Sequence, residues 1–485
     1  MSTPQEHPSG RVIPITPAPA DGEGERVSLY QAHQKIYPRS VQGVFAQWRW
    51  LMVAITQLVF YGLPWIEWGQ RQAVLFDLGA RRFYIFGLVL YPQDFIYLTA
   101  LLVISALSLF LFTAVAGRLW CGFACPQTVY SEIFIWIERQ FEGDRSARLR
   151  LDAAPLSLTK LARKSGKQLA WLVLSLWTGF SFVGYFTPIR ELTASILSLG
   201  FGPWEMFWIL FYSLATYGNA GFMREQVCKY MCPYARFQSA MFDKDTLIVT
   251  YDQARGEPRG ARSKKADPQA LGLGACVDCT LCVQVCPTGI DIRKGLQYEC
   301  IGCGACADVC DSVMDKVGYA RGLVKFSTQN AVDHGWTWTQ TLRRIARPRV
   351  LIYTAVLWAI ILGGGLSLWL RTPFKVDIER DRATLARIVE GGQIENVYRL
   401  QIMNAAEQVL TFKLHAQGLP GLQLVGGSEV QVDATESRWV SVQLRVPYDA
   451  ASPGSHPIHF NIDATDPSGQ ALGHLKEKTV FLMPR

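Results

Sequence analysis

The chain has 485 residues, a formal net charge of +8, 49% apolar residues and 12 cysteines. That length excludes one small core and predicts two to four units. The cysteines all lie between Cys121 and Cys310, which excludes a disulfide-stapled secreted fold, and cations that sit beside apolar segments without any nucleic-acid motif exclude a nucleic-acid binder.

Residues 1–45 are rich in Pro, Gly and charge and read as a cytoplasmic tail rather than a signal peptide. Residues 46–245 are expected to hold four transmembrane spans, about Trp50–Ile66, Phe95–Ala116, Leu169–Phe186 and Trp204–Thr216, with a fifth in 346–371, about Val350–Leu370. Between the first two, AVLFDLGARRFYIFGLVLYPQDF is apolar but carries Asp77, Arg81 and Arg82. Each charge at mid-span would cost roughly 2.5–3.5 kcal/mol, so the segment is expected to be re-entrant or interfacial. The connection from span two to span three is rich in Arg and Lys from Arg118 to Lys167, whereas the next holds only Arg190. The richer loop belongs in the cytoplasm, which places residues 246–345 there too and puts residues 372–485 outside.

Residues 246–345 contain CVDCTLCVQVC and then CIGCGACADVC, two tandem runs of Cys-x2-Cys-x2-Cys-x3-Cys. This is the ligand pattern of a ferredoxin-like domain with two 4Fe-4S clusters, in which the fourth ligand of each run serves the other cluster. Cluster I then takes Cys276, Cys279, Cys282 and Cys310, and cluster II takes Cys286, Cys300, Cys303 and Cys306. Structural zinc also uses paired Cys-x2-Cys units, but a third cysteine after two more residues and the Cys286-Pro287 pair favour iron–sulfur. Such thiols survive in a reducing compartment, in agreement with the charge argument.

The other four cysteines form two copies of one motif, CGFACP (Cys121, Cys125) and CKYMCP (Cys228, Cys232), each closing a span. Cysteines four apart share a helix face, and the proline after the second either kinks the helix or starts a new one. In the second case Cys125 and Cys232 are N-caps, where the dipole is expected to lower the thiol pKa. Thiolates and thioethers select Cu(I), so these four are candidates for copper binding or reduction, with Met223 and Met231 as weaker ones. The plainer alternative is that the cysteines are small apolar residues in packed helices, and for the methionines packing is the stronger reading. Asp94, at the mouth of span two, is a candidate proton or metal group, with interfacial hydrogen bonding the stronger reading. No histidine falls within a span, and no haem-attachment or nucleotide fingerprint occurs. After Arg371, short alternating runs such as VYRLQIMN and RWVSVQLRVP between turns predict an immunoglobulin-like β-sandwich. The whole is a multi-domain chain: a helical membrane bundle, an inserted ferredoxin and a C-terminal sandwich.

YQAHQKIYPRSVQGVF, the FDLGARRFYIFGLVLYPQDF segment, both Cys-x3-Cys-Pro motifs, DKDTLIVTYDQARGEPRG and the terminal domain together resemble the FixG/RdxA/CcoG family of cytochrome c oxidase accessory proteins over nearly the whole chain. The resemblance implies a multi-pass protein of the bacterial inner membrane, with a periplasmic C-terminal domain, that reduces Cu(II) to Cu(I) during maturation of a cbb-type oxidase. It implies copper as substrate or ligand, and as partners the oxidase assembly machinery, copper-delivery proteins and a cytoplasmic electron donor. Two other functions fit the same residues: a quinol-linked electron conduit, and a non-enzymatic copper-binding scaffold.

Overall fold

The computed structural model describes residues 35–263, 270–381 and 386–484; the tail expected over 1–45 lies mostly outside them. Its helical part runs α1 (Val44–Gly62), α2 (Phe95–Ala116), α3 (Leu119–Phe123), α4 (Pro126–Glu142), α5 (Arg145–Ala153), α6 (Leu158–Val183), α7 (Ile189–Leu197), α8 (Pro203–Thr216) and α9 (Pro233–Met241), followed much later by a helix over Pro348–Trp369. Each of the five expected spans is helical. Among the described residues two helices, Pro92–Ala116 and Pro348–Trp369, are long and apolar enough to cross a membrane, and they pack against each other, Tyr97 donating to the Ser367 carbonyl at 3.2 Å. The other three fall short for physical reasons. α1 carries Arg49, α6 begins with four cations before its apolar half, and the 14 residues of α8 rise only about 21 Å before π-helical Tyr217–Met223 continues it.

Helices α6 and α8 meet through small residues. A β-carbon at Gly179 would lie 2.3 Å from the Ile209 carbonyl oxygen and 2.4 Å from Ser213 Oγ, so only glycine permits this approach. On the other side of α6, buried Glu138 and Glu142 of α4 are ringed by cations: Arg148 and Arg224 reach Glu138 at 3.0 and 2.9 Å, and Lys167 reaches Glu142 at 2.8 Å. Burial of such carboxylates is tolerable only because each is paired.

The segment expected to be re-entrant or interfacial is a three-stranded antiparallel sheet, Val74–Asp77, Arg82–Ile85 and Leu88–Leu90, which overturns the re-entrant alternative but not the interfacial one. Its charges gather at the Asp77–Arg82 turn, where the Arg82 guanidinium lies against Tyr84. Leu75, Tyr84, Val89 and Tyr91 bury against Met403 of the C-terminal domain. An open sheet edge has no place in hydrocarbon, so the meander forms a platform for that domain rather than a membrane loop.

The C-terminal domain is the expected β-sandwich. One antiparallel sheet orders Gln423–Val425, Ser437–Pro447, Gln393–Asn404 and Phe374–Arg380, with Arg387–Val389 on the edge of Gln393–Asn404; the other orders Glu429–Val432, Leu410–Gln417, Gly454–Thr465 and Ala471–Met483. Alternate residues of both sheets interdigitate around fully buried Phe374, Tyr398, Phe412, Phe460 and Phe481.

The ferredoxin part is tied to the bundle at the start of α1. Asp308, on the helix Ala305–Val317, accepts the Phe45 and Ala46 backbone N–H at 3.1 and 2.8 Å. A carboxylate here satisfies two orphan donors and complements the positive end of the α1 dipole.

Candidate electron-transfer and thiol site

Two apolar hollows lie inside the ferredoxin part. Cys276, Cys279, Cys282 and Cys310 line one, with Leu281, Val309, Met314 and Leu323 around them. Cys286, Cys300, Cys303 and Cys306 line the other, with Cys282, Val249 and Ile292. Each tandem run therefore sends its fourth cysteine to the neighbouring hollow, as swapped ligation requires. The loop geometry has a cause: Gly302 (φ 69°) and Gly304 (φ 72°) occupy left-handed backbone, which turns the Gly302 and Ala305 N–H groups toward the Cys300 and Cys303 sulfurs. No three Cys, His, Asp or Glu side chains among the described residues stand close enough to bind one metal ion. Soft thiolate donors in an apolar, nearly dry shell fit 4Fe-4S, which supplies one-electron storage when bound. Cys279 is exposed, whereas Cys276, Cys282, Cys300 and Cys303 are buried.

The two Cys-x3-Cys-Pro motifs adopt one shape twice. Cys121 lies on α3, Cys125 caps α4 (φ −60°, ψ 129°), and Pro126 is its first helical residue; Cys228 lies on π-helical Val227–Met231, Cys232 caps α9 (φ −79°, ψ 109°), and Pro233 follows. Proline thus starts a helix in both copies, its missing N–H being one of the unpaired donors of the first turn. The motifs converge, and Cys228 lies within electrostatic reach of Cys121, Cys125 and Cys232. Gln127 braces them, donating to the Asn219 and Arg224 carbonyls at 3.0 Å each. Fully buried Gln238 meets Cys121 Sγ at 3.4–3.5 Å. Met223 and Met231 are on the exposed surface.

At Cys125 the lowering of thiol pKa expected for an N-cap is outweighed. Burial pushes Cys125 up, and the Gln127 and Thr128 N–H groups offset only part of it. Burial likewise pushes Cys121 up to about 11 and Cys228 to about 12. A half-turn cap contributes less here than desolvation of the thiolate.

Two residues that the sequence reading passed over join this site to the second hollow. Arg118, buried at 7% exposure, donates to the Cys300 carbonyl at 2.8 Å, to the Tyr298 carbonyl and to the Ala235 carbonyl of α9 at 3.2 Å. Gly122, inside the first motif, lies flat on the Cys303 loop, where a β-carbon would stand 2.8 Å from the Gly302 carbonyl oxygen and 2.9 Å from Cys303 N. The only sequence signal for either was the small residue between two cysteines; Arg118 read merely as one more loop cation.

Two apolar membrane-capable helices and a ferredoxin with two four-cysteine hollows define a membrane-associated iron–sulfur electron-transfer protein. Family models agree: a "4Fe-4S dicluster domain" matches residues 223–329, a "4Fe-4S binding domain" matches 98–142, and the "IG-like fold at C-terminal of FixG" matches 365–484. The chain is 39% identical to nitrogen fixation protein FixG of Rhizobium meliloti over 429 residues, covering 81% of each chain. It is 37% identical to protein RdxA of Cereibacter sphaeroides over 467 residues, covering 92% of this chain and 97% of that one. It belongs to the FixG/RdxA family. A crystal structure of a FixG-related protein from Vibrio parahaemolyticus matches 23% of this chain and 95% of its own, at 25% identity and a TM-score of 0.20.

Proposed function

We propose that this protein is a cupric reductase of the bacterial inner membrane that turns Cu(II) into Cu(I) during maturation of a cbb-type oxidase. The observation that carries the reading is the contact of Gly122 with the Cys303 loop, which brings the four-thiol site against the second cluster hollow. Cys276, Cys279, Cys282 and Cys310 hold cluster I, and Cys286, Cys300, Cys303 and Cys306 hold cluster II. A cytoplasmic donor delivers electrons to the clusters, and each cupric ion takes one electron on the thiol side. Cuprous ion needs only two soft ligands, so the pairs Cys121/Cys125 and Cys228/Cys232 suffice without a single four-ligand point. Arg118 fixes the geometry between the two sites, and copper-delivery proteins receive the product. Five spans, with the N-terminus and clusters cytoplasmic and the sandwich periplasmic, remain the topology supported by the distribution of Arg and Lys.

The test is anaerobic. Reduced protein is given Cu(II) and a Cu(I)-specific chelator, and cluster absorbance is followed together with Cu(I). Reoxidation in step with Cu(I), lost in Cys121→Ser and Cys228→Ser variants that keep their iron, supports the reading. Wild-type protein that stays reduced in the presence of Cu(II) removes copper from the account and leaves a conduit to some other acceptor.

A further inference from the structure

A cavity of about 910 Å³ lies between the start of α1, the outer half of α4 and the ferredoxin part. It shares walls with both cysteine hollows. Ala305 lines this cavity and the Cys286/Cys300/Cys303/Cys306 hollow, while Leu281 and Val309 line it and the Cys276/Cys279/Cys282/Cys310 hollow. One layer of small or aliphatic side chains therefore separates a single large cavity from two one-electron sites. Its size falls within the ~300–1,000 Å³ of small-molecule sites.

The walls select a chemistry. Arg39, Arg139 and Lys316 line the cavity and, among the described residues, their side chains make no hydrogen bond or ion pair. Three uncommitted cations around one concavity call for an anionic group such as a phosphate. Trp50 and Trp136 line the same cavity, their rings in edge contact at 6.3 Å, and offer apolar surface to a flat ring. Arg49 reaches from the cavity wall to the Cys303 carbonyl at 3.4 Å and pairs with Glu132 at 3.8 Å.

We propose that this cavity binds a phosphate-bearing flavin, of which flavin mononucleotide is the simplest. Nicotinamides pass two electrons together as hydride, which suits neither one-electron site; flavins pass them singly. An uncharged quinol leaves the three cations unused. Reduced flavin gives up two electrons and two protons in becoming oxidised flavin. One electron goes toward each four-cysteine set, and the protons leave to water. The site takes its purpose from the electron-relay reading, but its test is independent of copper.

The experiment uses the full-length, cluster-loaded protein in nanodiscs of phosphatidylcholine, titrated with flavin mononucleotide while flavin fluorescence is read, with cluster absorbance as the check on folding. Saturable binding is expected, weakened at least tenfold in Arg139→Glu and in the Arg39→Glu/Lys316→Glu pair, with riboflavin at least tenfold weaker and with less quenching in Trp136→Leu. Absence of saturable binding to folded wild type overturns the proposal. So does binding indifferent to the Arg139 change, or flavin displaced by adding phosphatidylglycerol, which would make the cavity a lipid-headgroup site.

Discussion

Gly122 and Cys303 touch backbone to backbone, although they are far apart in sequence: a β-carbon on Gly122 would lie 2.9 Å from both Cys303 N and Cys303 Cα. Real β-carbons do not approach this closely, and the obstructing atoms are main chain, so they cannot swing aside. Gly122→Ala is therefore expected to retain iron but to separate the thiol motif from the second hollow. A stability loss of about 1–3 kcal/mol, as for overpacking, should accompany a fall in the rate of cluster reoxidation by Cu(II). Thermal melting and stopped-flow absorbance read the two effects separately.

Arg118 places a fixed positive charge between the Cys300 loop and the thiols. A cation near a cluster favours its reduced, more negative state. Arg118→Gln is expected to lower the midpoint potential of one of the two clusters and leave the other unchanged, with Arg118→Lys intermediate because its ammonium keeps the charge but lacks the planar fork that spans these carbonyls. Redox titration followed by electron paramagnetic resonance resolves the two.

The Glu138 cluster predicts an acid limit. Burial alone would raise the Glu138 pKa, but Arg224, Arg148 and Lys167 outweigh it and hold the carboxyl below its ordinary value of 4.5. A depressed folded-state pKa gives stability that is present above about 4.5 and lost as pH falls through the folded value. Glu138→Gln leaves Arg148 and Arg224 without their buried partner, while Lys167 keeps Glu142, a loss of about 3–5 kcal/mol at neutral pH. Melting curves of the two proteins should differ most at pH 7 and converge as the wild-type carboxyl becomes protonated.

Asp94 ties three parts of the chain together. It is 3% exposed, accepts from Arg371 at 2.6 Å and from the Tyr91 N–H at 3.0 Å, and lies beside Lys375. The start of α2, the end of the last helix and the first strand of the sandwich therefore meet at one carboxylate. Asp94→Asn is expected to loosen the sandwich from its platform by about 3–5 kcal/mol. Hydrogen exchange should rise at the meander and at Phe374–Arg380 while the ferredoxin part stays protected.

What the sequence made legible follows from how local each signal is. The cysteine runs declare their chemistry because tight spacing fixes ligand geometry, and alternating runs such as VYRLQIMN declare a sandwich because strand period is a local property. Asp94 was expected to hydrogen-bond, and it does. The platform was misread in part, because AVLFDLGARRFYIFGLVLYPQDF is as apolar as a membrane segment, and only its burial against Met403 explains why. Arg118 and Gly122 were invisible for a related reason: their partners, Cys300 and Cys303, lie about 180 residues further on, and no pattern of spacing reports such a contact.

The proposed copper site is formed by Cys121, Cys125, Cys228 and Cys232. X-ray absorption at the copper edge of anaerobically Cu(I)-loaded protein tests it most directly. The account predicts a first shell of sulfur alone, lost or replaced by oxygen and nitrogen in Cys121→Ser and Cys228→Ser. Nitrogen or oxygen ligation in the wild type, or a sulfur shell that both variants leave unchanged, would contradict it.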